Sequence, residues 1–460
     1  TDVKVDAAND VKVSGLAEAF IDSVSAKVRT SAGVQAEVGS DLGVVGHDVK
    51  LDVVASTELS SSDVTIDAAG TIAASAAGAM ELTAGAMAVD VAMDSSIRMG
   101  GGATVDVGDA MSVSSVTSLD VSTGGTMTSL SQDMDLYVDS MLSASVDTMV
   151  FAASDDATVS VADVLTLNTR DAAISADGDF DLLVAGSSSI SSEGMSIDAD
   201  STLAVSAGEI ATITTAELEL SASKSVEVTT EQLTVDSALS MEVFSGSSLG
   251  VTATKLEVSS FEDTTLSAGE RVTVTSADAT LNVGDTLDVS ADDTRVRNSG
   301  VVDVFAAEGT RLTSSDVTVS VADKVEVLGG GEVKVTTSSL DLSADTAASV
   351  STTDLMMSVN SGMTATVGST TQLTSTDVKV DAANDVKVSG LAELVSVGRD
   401  VISRAAGGAM LIAGDESLVG ADDLSLYGTS KLSVQTKKLA VDATESISTS
   451  TKTSRLDATT

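Results

Sequence analysis

Proline, cysteine and tryptophan are absent from the 460 residues, and histidine occurs once, at His47. Without cysteine there is no disulfide and no thiol chemistry, and with one histidine the common zinc sites and histidine-based catalysis are excluded as well. Aromatic residues make up only 2 % of the chain. Cations are scarce too: 24 Lys and Arg stand against 69 Asp and Glu, a formal net charge of -45. Such a surface repels phosphate backbones and anionic lipid, so binding of nucleic acid by charge neutralisation is not expected. No apolar run is long enough to span a bilayer, and no basic stretch followed by an apolar block opens the chain, so membrane insertion is not expected either. The chain opens on Thr1 rather than Met, which reads as a processed product or a window on something longer.

What is present is apolar and periodic. Hydrophobic residues are 43 % of the chain and the mean hydropathy is +0.27, well above what a solvated acidic tail carries, so a core can be buried. Apolar residues fall in pairs one residue apart, the alternation of a strand with one buried face. The second members run Val159, Leu167, Ile174, Leu182, Ile190, Ile197, Val205, Ile213, Leu220 and Val228, always seven or eight residues apart. Three steps make about 23 residues, an interval also seen directly in Phe180, Leu203, Val226 and Leu249. Seven or eight residues leave no room for a crossover helix. The expectation is therefore all-β: a parallel three-sided β-solenoid of about 23 residues per coil, each strand pairing with the strand one coil away. The competing antiparallel sandwich would need hairpin turns between its strands.

Inside each unit, the inward position after the pair is small, as in Ala207, Ala222, Ser260, Ala268 and Ala291, and Gly208, Gly269 or Asp292 follows. Small inward residues let the backbone turn at a corner, and Gly, Asp and Ser accept turn dihedrals. The absence of proline fits strands whose N–H groups are nearly all ladder donors. Outward positions such as Glu219, Glu227, Glu242, Glu257 and Lys334 carry charge, which keeps the faces from sticking sideways. One face reads Ala204, Glu227, Gly250, Thr273, so it lacks the repeated threonine array of an ice-binding surface.

One continuous solenoid over 1–460 is expected. Residues 1–18, TDVKVDAANDVKVSGLAE, recur unchanged as 376–393, so a longer duplication of period 375 is laid over the short one. Divided by 23 that offset is about 16.3 coils, which sets the copy one face round. Less regular segments follow both copies, at 19–40 and 391–408. There Phe20, Val24 and Val28 stand at helical spacing and point to a short helix or a bulged corner. These repeating xVxVxA units resemble the β-helical shafts of phage tail fibres, type VI secretion spikes and giant repetitive surface proteins, including flagellar-hair shafts. The resemblance implies an extended structural or adhesive role and brings no functional residues with it.

Catalytic chemistry is not expected. Carboxylates are plentiful, but the loops are two to four residues long and cannot build a cleft. His47 reads as a solvated corner residue. The glycine runs at 100–102 and 329–331 lack the neighbours of a phosphate loop. Neither an EF-hand loop nor a nonapeptide calcium repeat occurs, so no dedicated metal site or cofactor is expected. Loosely held Ca2+ or Mg2+ is another matter. Twenty turns of about 4.8 Å give a rod about 95 Å long carrying about one charge per 2 Å, close to the linear density of duplex DNA. The acidic pairs Asp155 and Asp156, Asp292 and Asp293, and Asp422 and Asp423 are where such ions would gather. Alternating apolar residues reach both ends, from Val3 to Ile447, with no capping pattern. The functional expectation is a repeat segment of an extracellular or cell-surface appendage filament shaft, partnered with itself head to tail or continued covalently. The alternatives are the stalk of an adhesin or phage fibre and, from another class, a carbohydrate-active β-helix enzyme.

Overall fold

In the computed structural model, residues 126–328 are described continuously with their side chains. Elsewhere the strand backbones are described and the side chains only in part, with none beyond Val380. Among the described residues there is no helix, and every strand pairing is parallel. The chain divides into two units, Thr1–Glu231 and Gln232–Thr460, each built of stacked coils. The three-sided β-solenoid of about 23 residues per coil is the fold.

In the first unit, one coil shows how the sequence makes the prism. Asp133–Val138 forms the first face, and Met141–Ala153 forms the second and third with a corner in between. Residue by residue, Val159 pairs with Leu182 and Leu182 with Val205; Leu167 pairs with Ile190 and Ile190 with Ile213. Ile174, Ile197 and Leu220 stack the same way on the third face. Each strand turns three side chains inward, as in Phe180, Leu182 and Val184, all at most 5 % exposed. In this strand the first is large and the last short, whereas Ala157, Ala172 and Ala211 are small at the first position, so large and small side chains alternate among strands to fill the prism.

Successive faces are joined by corners of two lengths. Between the inward residues Val138 and Leu142 lie three residues; between Thr169 and Ala172 lie two. A three-residue corner separates mid-face residues by eight positions, as Val159 and Leu167, and a two-residue corner by seven, as Leu167 and Ile174. The seven-and-eight ladder is thus a record of corner lengths.

The short corner does not stay on one edge. In the second unit it follows the first face at Ala253–Leu256 and Ser276–Ala279, then the third face at 291–294, 314–317 and 337–340, then the second at 352–355.

One expectation needs correction. Ala19–Thr30 is a strand paired in register with Asp41–Val53, and Glu393–Val397 and Asp400–Ala405 are strands too, so the Phe20, Val24, Val28 spacing makes no helix. Axial hydrogen bonds to the next coil outweigh a local spacing of four residues. Val28 is half-buried against Val53, Ala76 and Ala103, and the other side chains of this segment lie outside the described residues. Val226 is fully buried while its partner Val228 is half-buried, so the first inward position seals the core more tightly than the middle one in this coil.

Candidate functional site

The corners concentrate the polar chemistry. At the short ones, the last inward residue is usually a buried hydroxyl. Thr215 Oγ1 lies 2.8 Å from the carbonyl of Glu217 and 3.1 Å from that of Glu193 in the previous coil. Thr169, Ser314 and Thr337 repeat the pattern, each between the carbonyl two residues ahead and one 22 residues behind. One proton is shared by two acceptors that the tight turn brings within its reach. Where serine occupies a long corner, as at Ser237, Ser245 and Ser260, its hydroxyl reaches the carbonyl three residues ahead instead. Most long corners carry Ala or Val there, such as Ala176, Val184, Ala199 and Ala222.

Aspartates make a second tie. Asp156 Oδ1 accepts the N–H of Asp179 at 2.8 Å, and Asp179 Oδ1 accepts the N–H of Thr202 at 3.0 Å, each one coil on. In the second unit Asp263 and Asp278 hold the N–H groups of Thr286 and Val301 in the same way, both at 3.0 Å. A carboxylate thus pairs a corner N–H that the strand ladder does not. The Ser201 hydroxyl, with the Thr202 N–H and Lys224 adding to it, holds the Asp179 carboxyl below the ordinary aspartate value. Asp181 moves the other way: burial raises it, and Asp179 and Asp156 push it further.

The expected cation positions look different in this light. Asp155 is exposed at its corner, while the neighbouring Asp156 carboxylate is engaged with the Asp179 backbone. Asp293 sits between Arg271 at 3.3 Å and Arg295 at 2.6 Å, so protein cations already occupy it, and Asp292 beside it is exposed. The side chains of Asp422 and Asp423 lie outside the described residues, as does that of His47. Among the described residues no three Asp, Glu or His side chains converge as a set that could hold a metal ion. Arg170, bound to Asp147 in the previous coil and to Asp171, is a further tie between coils.

Compared with family models, curated proteins and solved structures, the chain matches none. The aromatic residues are scattered: Phe180 is core, whereas Phe244, Phe261, Phe305 and Tyr137 are exposed. The sequence reading missed the hydroxyl and aspartate ties. The signal for the hydroxyl ties was available in the ladder, since a step of seven marks the short corner where Thr or Ser follows the pair.

Proposed function

We propose that the chain is a structural segment of an extracellular or appendage filament shaft, lengthened along its coil axis by further repeats or by like chains stacked head to tail. The observation that carries this reading is the pairing itself: each described strand gives its hydrogen bonds to strands one coil away, so the fold can grow only along that axis. Buried hydroxyls, aspartates and Arg170 tie successive coils together, as a load-bearing rod requires. The unchanged recurrence of residues 1–18 at 376–393 favours covalent continuation. Loosely held Ca2+ or Mg2+ would screen the charge. Electron micrographs of the isolated protein should show unbranched rods, with a diffraction spacing of about 4.8 Å along their length. Compact, monodisperse particles of one chain's mass would defeat the reading.

A further inference from the structure

We propose that one face of the Gln232–Thr460 unit binds a linear acidic polysaccharide, with carboxylate or sulfate groups, laid along the coil axis. The face is built from Met241–Ser245, Thr264–Ala268 and the segments 287–291, 310–314, 333–337 and 355–359, stacked in register. Its trailing corner is long at 268–272, short in the next three coils and long again at 359–363. Losing one residue at three successive levels recesses that edge. The result is a notch of about 380 Å³ running from Gly269 to Asn360, with Ser290, Thr313 and Thr336 along one wall.

Two outward columns complete the surface. The first runs Phe244, Ser267, Ser290, Thr313, Thr336, and at its foot Phe244 is 53 % exposed. Two residues earlier on each strand runs the second, Glu242, Thr265, Asp288, Arg311 and Lys334, in which Arg311 stands between Asp288 and Lys334 and both cations are exposed. Arg170, Lys255, Arg271, Arg295 and Lys324 each hold a carboxylate, whereas among the described residues no carboxylate lies within ion-pair distance of Arg311 or Lys334. Like charges on adjacent rungs repel, and a bound anion between them removes that cost.

Each element matches a part of an acidic glycan. The Phe244 ring offers an apolar plate to a sugar ring, the hydroxyl column and the carboxylates of Asp288 and Asp292 pair with sugar hydroxyls, and Arg311 with Lys334 takes the acid group. One rung advances about 4.8 Å, comparable to one sugar in an extended chain, so successive sugars fall on successive rungs. The net charge of -45 does not forbid this, because at physiological salt the Debye length is about 8 Å and only nearby charges count. The acidic corner of a second copy would satisfy the two cations but would leave the notch and hydroxyl column unused. This binding is independent of whether the chain sits in a filament.

The test is affinity electrophoresis of the full chain at about 0.15 M salt through gels holding polygalacturonate, dextran sulfate, neutral dextran or polyglutamate. Retardation is expected in one or both acidic glycans and not in dextran. The double variant Arg311→Ser with Lys334→Ser should weaken it at least ten-fold and Phe244→Ser several-fold, while Lys255→Ser at another corner leaves it unchanged. Far-UV circular dichroism verifies that each variant is folded. Absence of retardation, a double variant that binds like the parent, or polyglutamate that retards as strongly as the glycans would each overturn the proposal.

Discussion

Thr337 offers a direct measurement of what a short corner needs. It is 2 % exposed, and its Oγ1 lies 2.7 Å from the carbonyl of Ser339 and 3.0 Å from that of Ser315 one coil back. Thr337→Val keeps the shape and removes the proton, so it should cost about 1–2 kcal/mol, the value of a buried hydrogen bond whose acceptor is left behind. Thr337→Ser keeps the proton and loses one buried methyl, about 0.8 kcal/mol. Thr337→Ala loses both, about 2–3 kcal/mol. The expected order of damage is Ser, Val, Ala, the reverse of what hydrophobic burial alone would give for Ser and Val. Because a stack of repeats opens locally, the readout is amide hydrogen exchange over 310–345 rather than one melting point. At about 1.4 kcal/mol per factor of ten, the Val variant should exchange roughly ten-fold faster around Ser315 and Ser339. A Val variant as protected as the parent, or a Ser variant worse than Val, would refute the role of the hydroxyl.

Val226→Asp buries a charge at a fully enclosed position and should cost several kcal/mol, whereas Glu227→Lys next to it should be nearly silent in urea unfolding; equal effects would undo the inward and outward assignment. Thr264 is fully buried between Met241 and Leu287 with no partner for its Oγ1, so Thr264→Val should raise unfolding stability by about 1 kcal/mol. A Cβ on Gly284 would lie 1.7 Å from the Phe261 carbonyl, whereas one on Gly194 would meet only the Asp171 side chain at 3.3 Å, so Gly284→Ala should lower the melting temperature and Gly194→Ala hardly change it. Asp179, with its carboxyl lowered in the folded state, contributes stability that is complete above the ordinary aspartate value and lost as pH falls through the lowered one. Asp179→Asn should therefore be less stable than the parent at neutral pH and converge with it as pH falls through the lowered value, and a gap independent of pH in acid titrations would contradict this. Asp181, raised by burial, has the opposite sign and loses stability as pH rises through its folded value.

The faces were legible in the sequence because a strand with one buried side writes its parity into every second residue. Leu182, Ile197, Val205 and Leu220 could be placed inward from alternation alone, and all are buried. Corner chemistry was less legible, since it depends on which residue of the neighbouring coil comes within reach. Ser260 read only as small, yet its hydroxyl reaches the carbonyls of Asp263 and, one coil back, Leu239. Asp156 and Asp293 read as sites for ions, yet a backbone N–H engages one and two arginines the other. A local pattern at Phe20, Val24 and Val28 suggested a helix because sequence spacing cannot show the strand 23 residues on that captures the backbone.

Coil length follows from the corners alone. Two long corners and one short give steps of eight, eight and seven, and so the 23 residues that separate Phe180 from Leu203. Where the short corner passes to another edge, a column meets two short corners in one circuit, and Val272 pairs with Thr294 after 22 residues. Where all three are long, Ala103 pairs with Met127 after 24. In a flat sheet a one-residue shift would turn every downstream side chain to the wrong face. Here the alternation restarts after each corner, so a residue gained or lost at an edge changes the local outline of the prism and leaves the inward set intact. The notch beside Thr313 and Thr336 is one such change in outline, made by three short corners in succession. A solenoid of this kind can therefore vary its edges while its core stays in register, because each edge changes only the local outline of its own coil.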